Sequence, residues 1–255
     1  MSTLLLRLSA PMQAWGAASR FKKLTTEREP TKSGIIGLLA AALGRERSED
    51  ISDLCELRFG VRIDQPGKLL RDYHTAHNPN DDKLAFISER YYLCDAVFVV
   101  GLESDDEALL ETLKTALQEP QYPLYLGRRS CPPSGRIVLG ITQQPLARAL
   151  EEQEWQAQEW YMKKIKKEEE NLEIVMDVSL ETPGVFTKKD FPVSFNQEFR
   201  KYRSRSLCSN INGAFVKNPQ HSSSSAIASE VVIKKHKTEH DVYSVLEVDD
   251  VSFES

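Results

Sequence analysis

The hydrophobic and polar positions of the chain predict short strands and a few helices. Residues 4–8, 96–101 and 137–141 are apolar runs of strand length, and such runs are typical of strands buried on both faces. Residues 57–64 alternate between apolar and polar side chains, which predicts a strand with one face in water. These segments predict the core of a β-sheet.

Two further segments have apolar residues at helical spacing. The first follows Pro30; Thr31 or Ser33 can cap its start, and Gly44 can end it. One face of this helix is apolar and predicted to be core: Ile35, Leu38, Leu39, Ala42 and Leu43. The second helix runs from Ser104 to Leu117, and Ser104 with Glu107 fits a capping box.

A long polar interruption lies within residues 61–100. Residues 78–82 carry strong turn chemistry, and the segments on either side have strand character. This pattern predicts a long hairpin or protruding finger between core strands. Its middle has few apolar residues to pack on itself, and a projection of this kind is usually held by a partner or mobile.

The order of the predicted elements indicates an α+β fold. Strand, helix, finger-interrupted strands, helix and strand follow one another over the first part of the chain. This order fits a ferredoxin-like, or RRM-like, sheet with helices on one face. Sheets of this type often hold single-stranded RNA on the open face or in the adjoining loops.

Composition limits the classes of function. The 255 residues suit one large domain or two small ones. Charged residues make up 28% of the chain and the net charge is −5, which argues against a generally basic nucleic-acid coat. Any surface that binds nucleic acid must therefore be local.

The spacing of the cysteines and the N-terminal residues indicate the cellular compartment and whether a metal cofactor is expected. The cysteines, Cys55, Cys94, Cys131 and Cys208, form no CxxC pair, so we expect no zinc site of the usual spacing, and no cofactor. No signal peptide is apparent, and no stretch approaches the ~20 apolar residues that a membrane span requires. We therefore expect a cytoplasmic protein with reduced thiols and no membrane partner.

Residues 122–133 are the segment around which the chain is organised. An apolar and aromatic run ends at Gly127, and Arg128, Arg129, Ser130, Cys131 and two prolines follow. Arginine offers a planar fork suited to phosphate, serine adds a hydroxyl donor, and glycine lets the backbone approach a ligand. The segment is thus a candidate loop for an extended anionic partner such as nucleic acid; a solvated turn between strands is the alternative.

The start of the first helix is a second candidate site for phosphate. Thr31, Lys32 and Ser33 bring a lysine and two hydroxyls to the positive end of the helix dipole, where backbone N–H groups are free. The sequence lacks the GxxxxGK[ST] motif of a P-loop. An ordinary capped helix is the alternative.

Other candidates for RNA contact are more scattered. Trp15 follows the first strand and is either a stacking platform for a base or a lid over the core. Arg20 begins a basic segment that ends at Arg28. Tyr73 and His74 suggest general acid–base cleavage of RNA, although an exposed histidine that touches RNA or a neighbouring protein explains the pattern more simply.

Several of these segments together resemble the CasD family. The similar segments are LRLSAPMQAWG (6–16), PTKSGIIGLL (30–39), LRDYHT (70–75), YLCDA (92–96) and YLGRRSCP (125–132). CasD is the subtype I-E member of the RAMP superfamily and a subunit of Cascade, the CRISPR surveillance complex. The resemblance covers residues 1 to about 142.

The resemblance implies an architecture and a role. It implies an RRM-like RAMP domain over residues 1–145 with a β-hairpin thumb at about residues 67–92, and a smaller C-terminal part with a charged helix and β-structure over residues 146–216. The family grips the 5′ handle of the CRISPR RNA and caps the backbone filament. Implied partners are CRISPR RNA, the backbone and large subunits of Cascade, and target DNA near the thumb.

The resemblance also implies residue roles. Gln13 and Trp15 correspond to the loop that approaches the handle. Thr31, Lys32 and Ser33 match the loop-to-helix motif, and the paired arginines with Ser130 match the glycine–arginine loop. The predicted RNA-binding set is Gln13, Trp15, Arg20, Thr31, Lys32, Ser33, Tyr73, His74, Arg128, Arg129 and Ser130; no catalytic or metal-binding residue is predicted.

The remainder of the chain matches the family less well. Residues 150–170 are predicted to be a charged helix and residues 173–178 a strand. Residues 191–205 interleave basic and aromatic side chains, which is typical either of a surface that follows a phosphate backbone or of a solvated strand edge. Residues 217–255 are interpreted as a linker and a tail of unknown role.

Three functions follow from the sequence. The first is a non-catalytic RNA-binding subunit of Cascade that acts in antiviral defence. The second is a metal-independent endoribonuclease that processes precursor CRISPR RNA, with Tyr73 and His74 as its candidate residues. The third is a generic RRM-like RNA-binding module.

Overall fold

The computed structural model describes residues 1–16, 23–78, 81–165, 167, 169–178 and 185–219. Arg20 and residues 220–255, most of the predicted linker and tail, lie outside the described residues. The strands are β1 (Ser2–Ser9), β2 (Met12–Gln13), β3 (Lys23–Leu24), β4 (Arg58–Gln65), β5 (Lys68–Asn78), β6 (Asp81–Cys94), β7 (Val97–Ser104), β8 (Val138–Thr142), β9 (Glu169–Asp177), β10 (Phe186–Ser194) and β11 (Lys201–Lys217). The helices are α1 (Lys32–Leu43), α2 (Ser52–Cys55), α3 (Glu107–Gln118), α4 (Leu146–Glu152) and α5 (Glu159–Lys164).

A seven-stranded sheet forms the centre of the protein, with the strand order β10-β11-β9-β4-β7-β1-β8. All its neighbouring strands are antiparallel. Strands from residues 1–145 and from residues 146–216 share this sheet, so the predicted C-terminal part continues the first sheet. The mixed α+β class predicted from the sequence is confirmed.

Both faces of the central sheet are covered. On one face, Leu4, Leu6 and Leu8 of β1 pack in a core with apolar residues of α1 and α3. On the other face, Leu5 packs in a second core with Leu150 of α4 and with Trp155. Alternation along β1 sends successive side chains to opposite faces, so each face has its own apolar row. Of the two places where such a sheet can hold RNA, the open face is covered here and the adjoining loops remain.

Capping residues set where α1 and α3 begin and where α1 ends. Of the two predicted caps, Thr31 is the N-cap, and its hydroxyl accepts from the Gly34 N–H at 3.2 Å. Gly44 ends α1 with φ 79°, as predicted. The predicted capping box of α3 is wrong: Asp106 is the N-cap and accepts from the Leu109 N–H at 3.0 Å. Ser104 instead accepts from the Asp106 N–H and lies two residues before the N-cap.

The charged helix predicted over residues 150–170 is interrupted. It is divided into α4, which ends at Glu152, and α5, which begins at Glu159. The fully buried Arg62 guanidinium donates to the carbonyl oxygens of Leu150 and Glu154 at 2.7 and 2.8 Å. Arg62 thus satisfies carbonyls that a continuing helix would bond itself, and this ends α4.

A second sheet contains the long hairpin of β5 and β6. These strands pair antiparallel from Lys68 opposite Cys94 to Asn78 opposite Asp81. The base of the hairpin is held by β2, which pairs with Leu93 and Cys94, and by β3, which runs parallel to β6 at Glu89 and Arg90. The hairpin occupies the range in which the sequence predicts a finger.

Candidate nucleic-acid interface

Three of the sequence motifs meet in space. The Ala14 N–H donates to the Leu126 carbonyl at 3.1 Å, which joins the first loop to the glycine–arginine loop. A Cβ on Gly127 would lie 1.7 Å from the Ala14 carbonyl oxygen, and Gly127 has φ 88°. A Cβ on Gly34 would lie 2.9 Å from Cε3 of the Trp15 ring. Only glycines permit this approach of the loops and the start of α1.

Gln13 and Trp15 are buried beneath this junction. Gln13 donates to the Ala96 carbonyl at 2.8 Å, and the Trp15 indole N–H donates to the Gln13 side-chain oxygen at 3.1 Å. The Trp15 side chain is 1% exposed. This burial favours the lid alternative for Trp15, and the contact of both residues with RNA stays a prediction.

The start of α1 is already occupied by a carboxylate of the protein. Asp190 of β10 accepts from the Lys32 backbone N–H at 3.0 Å, where a bound phosphate would accept. The Lys32 ammonium is buried and donates to Asp177 at 2.9 Å and to the Leu57 carbonyl at 2.8 Å. Thr31 is buried as the cap. Because an internal anion fills this position, the structure favours the ordinary capped helix over a phosphate site, and RNA contact by Thr31 and Lys32 stays a prediction.

Arg205 completes this buried charge cluster, which we define as Lys32, Asp177, Asp190 and Arg205. The Arg205 guanidinium binds Asp190 in a bidentate manner, at 2.6 and 2.9 Å, and also binds Asp177. Burial lowers the pKa of Arg205, but the two carboxylates outweigh burial and raise it overall. The cluster, with two charges of each sign, fastens β9, β10 and β11 to the start of α1.

The paired arginines of the glycine–arginine loop have different surroundings. Arg128 is half-buried, with its guanidinium 4.7 Å from the centre of the Tyr92 ring and donating to the Leu24 carbonyl at 2.8 Å. Arg129 and Ser130 are exposed. Within the described ranges, Arg129 makes no ion pair. The structure thus leaves Arg129 free to bind an anion and ties Arg128 to the base of the hairpin.

Arg129 lines a groove beside the glycine–arginine loop. A wide part of about 1090 Å³ is lined by Arg45, Arg47, Tyr125 and Arg129, among others. A narrow part of about 230 Å³ shares Arg45, Arg47 and Tyr125 with it and reaches Ser33. We call these two parts the basic groove. Of the predicted residues, it brings Ser33 and Arg129 together.

Sequence reasoning missed Arg45 and Arg47, which lie directly after α1 in a charged segment with no distinguishing motif. Arg45 is paired with Asp53 at 2.5 Å. The hydrogen bond from Arg45 lowers the pKa of Asp53, and the same bond raises the pKa of Arg45. Asp53 compensates the charge of Arg45. The exposed basic side chains of the basic groove are therefore Arg47, Arg129 and Arg200, and its lining also includes Glu46 and Glu198.

The structure does not bring Tyr73 and His74 to one site. Both are exposed and consecutive on β5, so their side chains point to opposite faces of the hairpin. The Tyr73 hydroxyl accepts from Arg71 at 2.7 Å and lies 3.3 Å from Glu89. Neither residue lines the basic groove.

No cluster of three or more His, Cys, Asp or Glu side chains suited to a metal ion occurs in the described part of the chain. Burial raises the pKa of the Cys131 thiol, which disfavours the reactive thiolate. No helix among the described residues is both long enough and apolar enough to cross a membrane.

Comparisons with known proteins identify the family. A family model described as CRISPR-associated protein (Cas_Cas5) matches residues 3–207. The CRISPR system Cascade subunit CasD of Escherichia coli (strain K12) is 40% identical, in an alignment that covers 56% of this chain and 72% of that protein.

Solved structures agree with this result. One described as "Crystal structure of Cas protein" has 38% identity and a TM-score of 0.64, covering 86% of this chain and 96% of its own. A chain of a "CRISPR RNA-guided surveillance complex" has 30% identity and a TM-score of 0.69, covering 84% and 91%. The resemblance to CasD is confirmed, and the chain belongs to the Cas_Cas5 family of CRISPR-associated proteins.

Proposed function

We propose that this chain is a non-catalytic subunit of a CRISPR RNA-guided surveillance complex of the Cascade type. Its family membership supports this, as does the 40% identity to a protein named as a Cascade subunit. The similar chain of an RNA-guided surveillance complex supports it further. A generic RNA-binding module is a weaker explanation, because the likeness spans most of the chain.

The RNA bound by this subunit is the 5′ handle of the CRISPR RNA, and it lies in the basic groove. The observation that carries this proposal is the groove itself, with Arg47 and Arg129 on its surface and Tyr125 in its lining. Guanidinium groups bind phosphates, and aromatic rings stack on unpaired bases. Because the net charge is −5, this local concentration of arginine is a feature that the overall composition does not explain.

The hairpin of β5 and β6 is the thumb in this proposal. It carries exposed apolar side chains, namely Leu69, Tyr73 and Ile87 at 64%, 60% and 55% exposure. Exposed apolar residues on a projecting element suit contact with another macromolecule. The proposed partners are the neighbouring backbone subunit, the large subunit, and target DNA near the thumb.

The RRM-like assignment of residues 1–145 rests on strand order. The strands β4, β7, β1 and β8 are neighbours in that order, and α1 and α3 pack on one face of them. A β-α-β-β-α-β chain with this order has ferredoxin-like topology. The second layer, formed by α4 and residues 153–158, belongs to the C-terminal part in this proposal.

Binding of handle RNA to the full chain tests the groove. We expect Arg47→Ala with Arg129→Ala to weaken binding about 100-fold, since each charge-assisted bond contributes about 1.5 kcal/mol or more. The plot of log K against log salt should become less steep, its slope decreasing in magnitude by about 1.4, because two phosphate contacts are lost. Fluorescence anisotropy at several salt concentrations measures both quantities.

The matched control is Arg136→Ala with Arg148→Ala, which removes the same charge from exposed positions outside the basic groove. If this control weakens binding as much as the groove variant, the placement of the RNA is wrong.

The non-catalytic part of the proposal has its own test. Repeat RNA incubated with the full chain should remain intact, and His74→Ala should not change the result. General acid–base cleavage needs two groups within reach of one phosphodiester, which Tyr73 and His74 on opposite faces do not provide. Cleavage that disappears in His74→Ala would establish the endoribonuclease instead.

A further inference from the structure

The connection between β10 and β11, residues 195–200, forms one side of the basic groove. Asn196, Gln197 and Glu198 line its wide part. Phe195 and Arg200 line its narrow part, together with Tyr202 of β11. Nearly every residue of this connection thus borders the groove that the glycine–arginine loop borders from elsewhere in the sequence.

Two neighbouring residues of the connection are exposed. Phe199 is 74% exposed, and it lies between Glu198 and Arg200, both of which line the groove. Arg200 is also exposed and forms no ion pair with any residue in the described ranges. Phe199 and Arg200 are consecutive in the chain, and an exposed aromatic ring together with a free guanidinium is the combination with which proteins hold single-stranded nucleic acid.

The connection is held in place before any ligand arrives. The buried charge cluster fixes β10 through Asp190 and β11 through Arg205, on either side of the connection. Within it, the Ser194 hydroxyl accepts from the Asn196 N–H at 3.1 Å, and the Asn196 side chain accepts from the Glu198 N–H at 2.9 Å. A site built on fixed backbone loses less entropy on binding than a free loop.

We propose that residues 195–200 are a second RNA contact, in which Arg200 binds a backbone phosphate and the Phe199 ring stacks on a base. This inference rests on the proposed function, because it assigns the opposite side of the same groove. It extends the RNA path from Arg47 and Arg129 to the C-terminal hairpin.

The contact is tested with full-length protein and fluorescein-labelled single-stranded RNA of the handle sequence. We expect Phe199→Leu to weaken binding about 5- to 150-fold, the range for loss of one base–aromatic stack, with an unchanged salt slope. Phe199→Trp should retain binding. Arg200→Ala should weaken binding and decrease the magnitude of the salt slope by about 0.7, since one phosphate contact is lost.

Matched controls separate this contact from general effects. Phe215→Leu removes a ring of similar exposure, 69%, from β11 outside the groove, and Arg136→Ala removes an exposed charge outside the groove. Both should leave affinity and salt slope unchanged.

The inference and the proposed function fail in different ways. If Arg129→Ala weakens binding but Phe199→Leu and Arg200→Ala do not, the RNA occupies the groove without the connection, and the inference is overturned alone. If none of the three variants changes binding, both are overturned. Parallel salt dependence in wild type and Arg200→Ala would overturn the phosphate role of Arg200.

Discussion

The Asp190 carboxylate accepts a hydrogen bond from the backbone N–H of Lys32, at 3.0 Å and across 158 positions of the chain. This bond places a negative charge at the positive end of α1, whose own first turn has no acidic residue. The anion at this helix start is thus part of the fold, and it connects the C-terminal strands to the first helix.

Removing this carboxylate should destabilise the protein. Asp190→Asn leaves the buried Arg205 with Asp177 as its remaining counter-charge, which the Lys32 ammonium shares, and breaking one partner of a buried pair costs about 3–5 kcal/mol. Urea unfolding followed by circular dichroism measures the change. Asp105→Asn, at an exposed ion pair, is the control and should change stability by less than about 0.5 kcal/mol. A similarly small effect at Asp190 would contradict the structural role of the cluster.

Gly127 should not tolerate a side chain. Gly127→Ala places a Cβ 1.7 Å from the Ala14 carbonyl oxygen, so the two loops must separate. Gly135 has a similar positive φ of 75° but open space around it, so Gly135→Ala should cost only about 1–2 kcal/mol. We expect a larger loss of stability for Gly127→Ala, together with weaker RNA binding. If both variants lower the melting temperature equally, the close approach of Gly127 to Ala14 does not contribute to stability.

The paired arginines should respond differently to truncation. Arg128→Ala removes a cation–π contact with Tyr92 and a bond to the Leu24 carbonyl, so it should reduce stability by about 1–2 kcal/mol. Arg129→Ala should change stability by less than about 0.5 kcal/mol and yet weaken RNA binding. Urea unfolding and fluorescence anisotropy of both variants measure these effects. Equal changes in stability and in RNA affinity for the two variants would refute the division of roles.

The ion pair of Arg45 and Asp53 should have a small effect that depends on pH. Arg45 lowers the pKa of Asp53 in the folded protein, so the stabilisation is present above the unfolded pKa and is lost as pH falls through the folded pKa. Because both side chains are partly exposed, we expect less than about 1 kcal/mol between wild type and Asp53→Asn at pH 7. The difference should decrease below about pH 4. A difference that grows on acidification would contradict this account.

Much of the fold could be predicted because its signals are local. The apolar runs of β1, β7 and β8 and the capped, one-sided pattern of α1 lie within short stretches of sequence, and so does the turn chemistry of the long hairpin. The cap of α3 was misassigned because Ser104, Asp105 and Asp106 offer competing caps within three positions. The interruption between α4 and α5 was missed because Arg62, which causes it, comes from β4.

The candidate site was predicted only in part, for a similar reason. The sequence identified the motifs that meet, and Arg129 and Ser33 do lie in the groove. It did not reveal that Gln13, Trp15 and Lys32 are buried beneath the groove, because indole, amide and ammonium groups suit either RNA or an internal partner.

The sequence by itself determined the family, the α+β class, the first helix with its caps, and the set of loops that converge. Only the tertiary structure decided which polar groups remain free for a ligand. The physical reason is that a buried charge requires a partner. Here the Lys32 ammonium pairs with Asp177, 145 positions away, while Asp190, 158 positions away, accepts from the Lys32 backbone N–H. Side-chain identity sets what a residue can bind, and long-range packing sets what it does bind.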